Sequence, residues 1–191
     1  MLNGIERFRN HLQVQRGAAP LTLKSYSEDL LQLHQYLERQ PEAPARWSEV
    51  DRRRLRGFQL HLADSGYARR SISRKLAAIR TFFRFLVRNW EVEQNPAVGL
   101  FSPRQQRRLP HALRPAEIEA LLQVPDRLSP LGLRDAAVLE VLYSSGMRAS
   151  ELVSLTRERA LNCRGPLRVV GKGRNERTVF LGRAAMEALA A

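Results

Sequence analysis

From Ile5 to Leu86 the apolar residues return every three or four positions, in four blocks separated by proline, glycine and serine. That spacing lays them along one face of a helix, and such a face must be buried against another. The chain therefore has to begin as a packed set of helices. Ile5, Phe8 and Leu12 mark the first. The second follows Pro20, carries Leu23, Tyr26, Leu30, Leu33 and Leu37, and ends at Pro41 to Pro44. Ser48 is placed to cap a third with Val50, Leu55, Phe58 and Leu62, closed by Ser65 and Gly66. A fourth opens near Ser71 and carries Ile72, Leu76, Ile79, Phe83 and Leu86, and Asn95-Pro96 terminates the segment after it.

The next stretch, F-S-P-R-Q-Q-R-R-L-P-H-A-L-R-P (101–115), is polar, basic and rich in proline, as an inter-domain linker is. The pattern thus predicts a helical domain over 1–100, a linker over 101–113 and a second domain over 114–191. In the second, Pro115 starts a helix with Ile118, Leu121 and Leu122, and another runs from about Leu131 to Tyr143, with Tyr143 in its apolar stripe. A short helix after Arg148 carries Leu152, Val153 and Leu155. Then the apolar pattern changes. L-R-V-V (167–170) and R-T-V-F-L (177–181) flank the turn G-K-G-R-N-E, which predicts a β-hairpin. R-A-A-M-E-A-L-A-A predicts a last helix. The fold class is mainly α, a four-helix bundle followed by an α+β unit with one hairpin.

The formal charge is +13, and ten of those charges lie before Leu109. Such a balance points to a polyanionic partner, most often nucleic acid. Arg69, Arg70, Arg74, Lys75, Arg80, Arg84 and Arg88 flank or sit on the fourth helix, with no acidic residue between Arg69 and Arg88. Each cation laid on a phosphate would release counterions. The single cysteine, Cys163, excludes an internal disulfide and suits a reducing cytoplasm. It has no histidine nearby to activate it and reads as structural. One cysteine and four scattered histidines argue against a zinc site. No apolar run approaches the roughly 20 residues of a membrane span. A cytoplasmic protein without a membrane partner is expected.

Two stretches invite a chemical reading. In S-S-G-M-R-A-S-E-L (144–152), a glycine ends one helix and Arg148 stands where the next begins. Helix N-termini favour acidic residues, so an arginine there needs a reason. G-K-G-R (171–174) is no phosphate-binding P-loop: position 166 is proline, and glycine rather than serine or threonine follows the lysine. Lysine is scarce, only Lys24, Lys75 and Lys172, and unlike arginine it can give up a proton. His111-x-x-Arg114 lies in the linker and is read as chance.

The order of these pieces resembles the tyrosine recombinases, and within them the Xer group of chromosome-dimer resolvases, nearest its XerC branch. The resemblance runs through L-T-L-K-S-Y-S-E-D-L (21–30), R-K-L-A-A-I-R-T-F-F-R-F-L (74–86), N-P-A (95–97), R-D-A-A-V-L-E-V-L-Y-S-S-G-M-R-A-S-E-L (134–152) and the hairpin G-K-G-R-N-E-R. It implies a SAM-like, four-helix core-binding domain ahead of a catalytic domain that is here incomplete. Arg148 matches the first catalytic arginine, Glu151 its acidic support, and Lys172 the hairpin lysine that protonates the leaving 5′-oxygen. Lys24, Arg69, Arg70, Arg74, Lys75, Arg84, Arg107, Arg108, Arg174 and Arg177 would contact DNA. The implied reaction passes through a 3′-phosphotyrosine and needs neither metal nor ATP. The implied partners are duplex DNA with a dif-like site, a second recombinase of XerD type in a heterotetramer, and a DNA translocase of FtsK type.

The family's His-x-x-Arg pair, second His or Trp, and nucleophilic tyrosine come after the hairpin, and Phe180 stands where the family usually has proline. None of Tyr26, Tyr36, Tyr67 or Tyr143 has the nucleophile's context. The expectation is the N-terminal two-thirds of a recombinase, one that binds DNA without cleaving it and shows poor solubility or partial unfolding of residues 110–191. The alternatives are a DNA-binding or regulatory protein built on this fold, and a fragment of a phage or integron integrase.

Overall fold

A computed structural model describes residues 1–103, 111–163, 165–171 and 175–191. The chain divides into two compact units, Met1–Arg108 and Leu109–Ala191. In unit 1, helices α1 (Leu2–Val14), α2 (Pro20–Glu38), α3 (Arg52–Asp64) and α4 (Arg69–Arg88) form the bundle, with a 3₁₀ turn at Trp47–Glu49. Pro20 opens α2 at a position where its missing N–H has no bond to lose. The cap of α3 is Asp51 rather than Ser48: its carboxylate accepts from the Arg54 N–H at 2.8 Å. Val50 therefore lies outside the helix, though it is buried in the same core. The fourth helix begins at Arg69, two residues before Ser71.

The predicted stripes make one core. Ile5, Phe8, Leu12, Leu30, Leu33, Leu37, Leu55, Phe58, Leu62, Ile72, Leu76, Ile79, Phe83 and Leu86 are all buried together. Aromatic edges organise it. Phe8 meets Phe82 at 5.3 Å between ring centroids, and Trp47 meets Phe82 at 4.8 Å, both edge-on. The Trp47 indole N–H donates to the Met1 carbonyl at 2.9 Å, so the one polar atom of that buried ring is satisfied. Phe101 and Ser102 stay with unit 1: Gln59 donates to the Phe101 carbonyl at 3.0 Å, and Arg80 donates to Ser102 Oγ at 2.6 Å.

Unit 2 contains α5 (Pro115–Gln123), α6 (Pro130–Ser145), α7 (Ala149–Val153), α8 (Arg157–Leu161), β1 (Leu167–Val170), β2 (Glu176–Val179) and α9 (Arg183–Ala190). The strands pair antiparallel, Leu167 opposite Val179 and Val169 opposite Arg177. The second strand stops at Val179, so Phe180 and Leu181 fall outside it. The core here is small: Val141, Met147, Leu167, Val169, Val179 and Ala185, with Leu142, Leu152, Leu155 and Cys163 packed around it. Cys163 is half-buried and its thiol donates to the Gly165 carbonyl at 3.3 Å. Tyr143, expected in the core, is instead 63% exposed, because α6 turns its outer face to solvent at that position. Among the described residues no helix is long and apolar enough to cross a membrane.

Candidate active site and nucleic-acid interface

Most residues of the S-S-G-M-R-A-S-E run have a structural task. The Ser144 hydroxyl accepts from the Gly182 N–H at 2.5 Å and ties α6 to the segment before α9. Ser145 Oγ donates to the Val141 carbonyl at 2.5 Å and accepts from the Met147 N–H at 3.2 Å. Gly146 ends α6 with φ of 58°, a left-handed turn that a side chain would strain. Met147 drops into the core. Arg148 then stands at the N-cap of α7, its side chain 60% exposed.

Arginine has no acceptor and cannot cap a helix through its side chain. Glu151, at the third position of α7, does that work from the other side. Its carboxylate accepts from the Arg148 backbone N–H at 2.7 Å and from Arg148 Nη1 at 2.8 Å. The negative charge that a helix start favours is thus present, but one turn inside and 1% exposed. A third bond comes from β2, where Arg177 Nη2 donates to the same carboxylate at 2.8 Å and to the Gly146 carbonyl at 3.0 Å. These donors, Arg177 foremost and then the Arg148 N–H, outweigh burial and lower the Glu151 pKa from 4.5 to about 2. The carboxylate in turn raises the pKa of Arg177.

The segment just past β1 also comes close to this group. A side chain at Gly171 would place its first carbon 2.8 Å from Glu151 Oε1 and 3.2 Å from Arg148 Nη1, so only glycine lets the backbone come this near. The Gly171 N–H donates to the Asn175 carbonyl at 2.8 Å. Residues 172–174 between them, Lys172 and Arg174 included, lie outside the described residues, as do Arg107 and Arg108.

The other predicted cations separate into two groups. Arg70 and Arg84 are exposed on α4, and Arg69 is exposed at its start. Lys24 is exposed on α2, 4.0 Å from Glu28. Lys75 is different: it is 6% exposed, donates to Asp29 at 2.8 Å, and lies 5.3 Å from the centre of the Tyr67 ring. It faces the bundle interior and is not available to a phosphate. Arg74 shares Asp29 with it but keeps 45% of its side chain exposed. Arg177 likewise points inward, at Glu151, and not outward as a phosphate contact would.

One feature of unit 1 had a weak signal in sequence. Arg16, Arg84 and Arg88 converge on a cleft of about 380 Å³ between α1, α2 and α4, with His11, Thr22 and Tyr26 on its walls and no acidic residue among them. Arg16 sits beyond the last helical stripe of α1 and belongs to no motif. Its basic neighbours in space, Arg84 and Arg88, come from the far end of α4. Among the described residues, no group of three or more His, Cys, Asp or Glu is arranged to hold a metal.

Comparison with known proteins finds one family for both parts of the chain. Residues 5–89 match the phage integrase N-terminal SAM-like domain, and residues 111–191 match the phage integrase family. The chain belongs to this family, the tyrosine recombinases. It is 39% identical over 191 residues to tyrosine recombinase XerC of Pelotomaculum thermopropionicum, an alignment that covers 98% of this chain and 62% of that protein. It is equally 39% identical over 187 residues to tyrosine recombinase XerD of Halalkalibacterium halodurans, with 98% and 62% covered. The chain thus spans somewhat less than two-thirds of the length of these relatives. Among solved structures, lambda integrase residues 75–356, a dimer bound to a COC′ core site, shares the fold with a TM-score of 0.74 at 17% identity, covering 100% of this chain and 65% of that one.

Proposed function

We propose that these residues are the DNA-clamping part and half of the phosphoryl-transfer site of a Xer-type site-specific recombinase. The observation that carries the reading is the Arg148 guanidinium, exposed yet fixed by a buried carboxylate at the start of α7. A planar fork held in one place can meet two non-bridging oxygens of a phosphodiester and stabilise the charge that builds on them. Glu151 orients it. Lys172 comes directly after Gly171, which lies against this pair, and would protonate the leaving 5′-oxygen as a general acid. In unit 1, Arg70 and Arg84, joined by Arg16 and Arg88 in the cleft, would neutralise backbone phosphates.

The substrate in this reading is duplex DNA with a dif-like site. The assembly is a heterotetramer with a XerD-type recombinase, under a translocase of FtsK type, and the reaction passes through a 3′-phosphotyrosine. None of the four tyrosines present suits the nucleophile. Tyr26 and Tyr36 pack against the unit 1 core, Tyr67 accepts a hydrogen bond from Gln32 at 2.7 Å, and Tyr143 stands on the outer face of α6. The 191 residues should therefore bind DNA and leave it uncut.

The test is affinity for a dif-like duplex at several salt concentrations, for the parent and Arg148→Ala, with a nicked duplex to trap adducts. A steep salt dependence, a loss on the order of tenfold in the variant and no adduct are expected. A flat salt response, or an Arg148→Ala protein that binds as well as the parent, would refute the proposal.

A further inference from the structure

We infer that Arg177 is a positioning residue: from β2 it fixes the Glu151 carboxylate, and through it the Arg148 guanidinium, and it does not touch DNA. This rests on the proposed role of Arg148 as a phosphate contact.

The first argument is geometric. Among the described residues the Arg148 guanidinium has one anchor, the Glu151 carboxylate, so it is only as well placed as that group. A single nitrogen, Arg177 Nη2, bonds both Glu151 and the Gly146 carbonyl. It thereby pins the end of α6 and the first turn of α7 to one strand of the hairpin. On the other side the backbone at Gly171, one residue past β1, runs so near the carboxylate that a β-carbon there would stand 2.8 Å from Oε1. The carboxylate is held by Arg177 from β2, while Arg148 keeps its exposed face.

The second argument is charge. An isolated Arg148–Glu151 pair would be neutral, and a neutral pair attracts a phosphate weakly. With Arg177 the cluster holds two cations and one anion, a net charge of +1. Arg177 is 39% exposed and Arg148 is 60% exposed, so the excess charge is presented most openly at Arg148. Arg177 thus restores to Arg148 the positive charge that its anchor would otherwise cancel. No other described basic side chain bonds Glu151.

The experiment is a double-mutant cycle on DNA affinity with Arg148→Ala and Arg177→Ala, read beside the Glu151 carboxyl titration by ¹³C NMR. Arg177→Ala should lose on the order of tenfold in affinity, and should cost less than about twofold further once Arg148 is gone. The Glu151 titration should move up from about 2 toward the ordinary carboxylate range. Arg177→Lys keeps a cation beside Glu151 and should recover part of the affinity and hold the titration low. That variant separates positioning from a mere folding defect, which would leave its affinity as low as that of Arg177→Ala. Additive losses, with the salt slope reduced by about one phosphate, would make Arg177 a direct DNA contact and overturn the inference. An Arg177→Ala protein with parental affinity would also overturn it. If Arg148→Ala itself binds normally, the proposed function fails, and the Glu151 titration alone then decides whether Arg177 controls that carboxylate.

Discussion

At the scale of single residues, the decisive unit is a carboxylate shared by two arginines. Glu151 has its folded pKa depressed to about 2 from 4.5. It therefore adds stability that is fully present above about pH 4.5 and is lost as the pH falls toward 2. Thermal melts between pH 2 and 5 should show unit 2 weakening over that window, and Glu151→Gln should flatten the dependence while lowering the melting temperature at neutral pH. Gly171→Ala should destabilise unit 2 by about 1–3 kcal/mol, since the new methyl stands within van der Waals distance of Oε1 and the backbone must retreat. Urea titration of the variant measures it. Glu151 came only with the resemblance to the tyrosine recombinases, whereas Arg148 was legible in sequence because an arginine at a helix start needs a reason. The inward turn of Arg177 was not. Its strand position reads as exposed or buried with equal ease, and only the docking of the hairpin against α7 decides.

At the scale of elements, α4 shows how one basic helix serves two ends. Its sequence reads as an unbroken cationic face, yet Lys75 is consumed by Asp29 from α2 while Arg84 stays open to a ligand. These two residues should part in experiment. Lys75→Met should cost unit 1 only about 1–2 kcal/mol, because Arg74 still faces the Asp29 carboxylate, with the salt slope of DNA binding unchanged. Arg84→Ala should leave stability within about 0.5 kcal/mol and reduce the salt slope by about one. Melting and salt titration of both variants check the pair. The bundle itself was legible because each helix carries its own stripe, and the hairpin because its runs are β-type and flank a glycine turn. The five-residue α8 was not, since one and a half turns carry too few apolar positions to set a period. Its start is made by Thr156, whose hydroxyl accepts from the Arg159 N–H at 3.3 Å, a signal visible only once the turn exists.

At the scale of the whole molecule, the two units are unequal in what they bury. Unit 1 has a continuous aromatic core. Unit 2 has a small one and leaves an open apolar groove of about 680 Å³ lined by Leu133, Val138, Leu142, Leu152, Val153 and Leu189. Less apolar burial means less to offset chain entropy. Calorimetry should resolve two transitions, unit 2 melting first, and brief proteolysis should remove unit 2 before unit 1. One cooperative melt would contradict this. The Asp29 group has a consequence in heredity as well. A lineage that loses Asp29 strands two cations, one of them deep in the bundle, whereas one that loses Lys75 still has Arg74 to face the carboxylate. Drift through this trio should be ordered: substitutions at position 75 tolerated first, those at 29 only after 75 has changed. Descendant sequences should preserve that order.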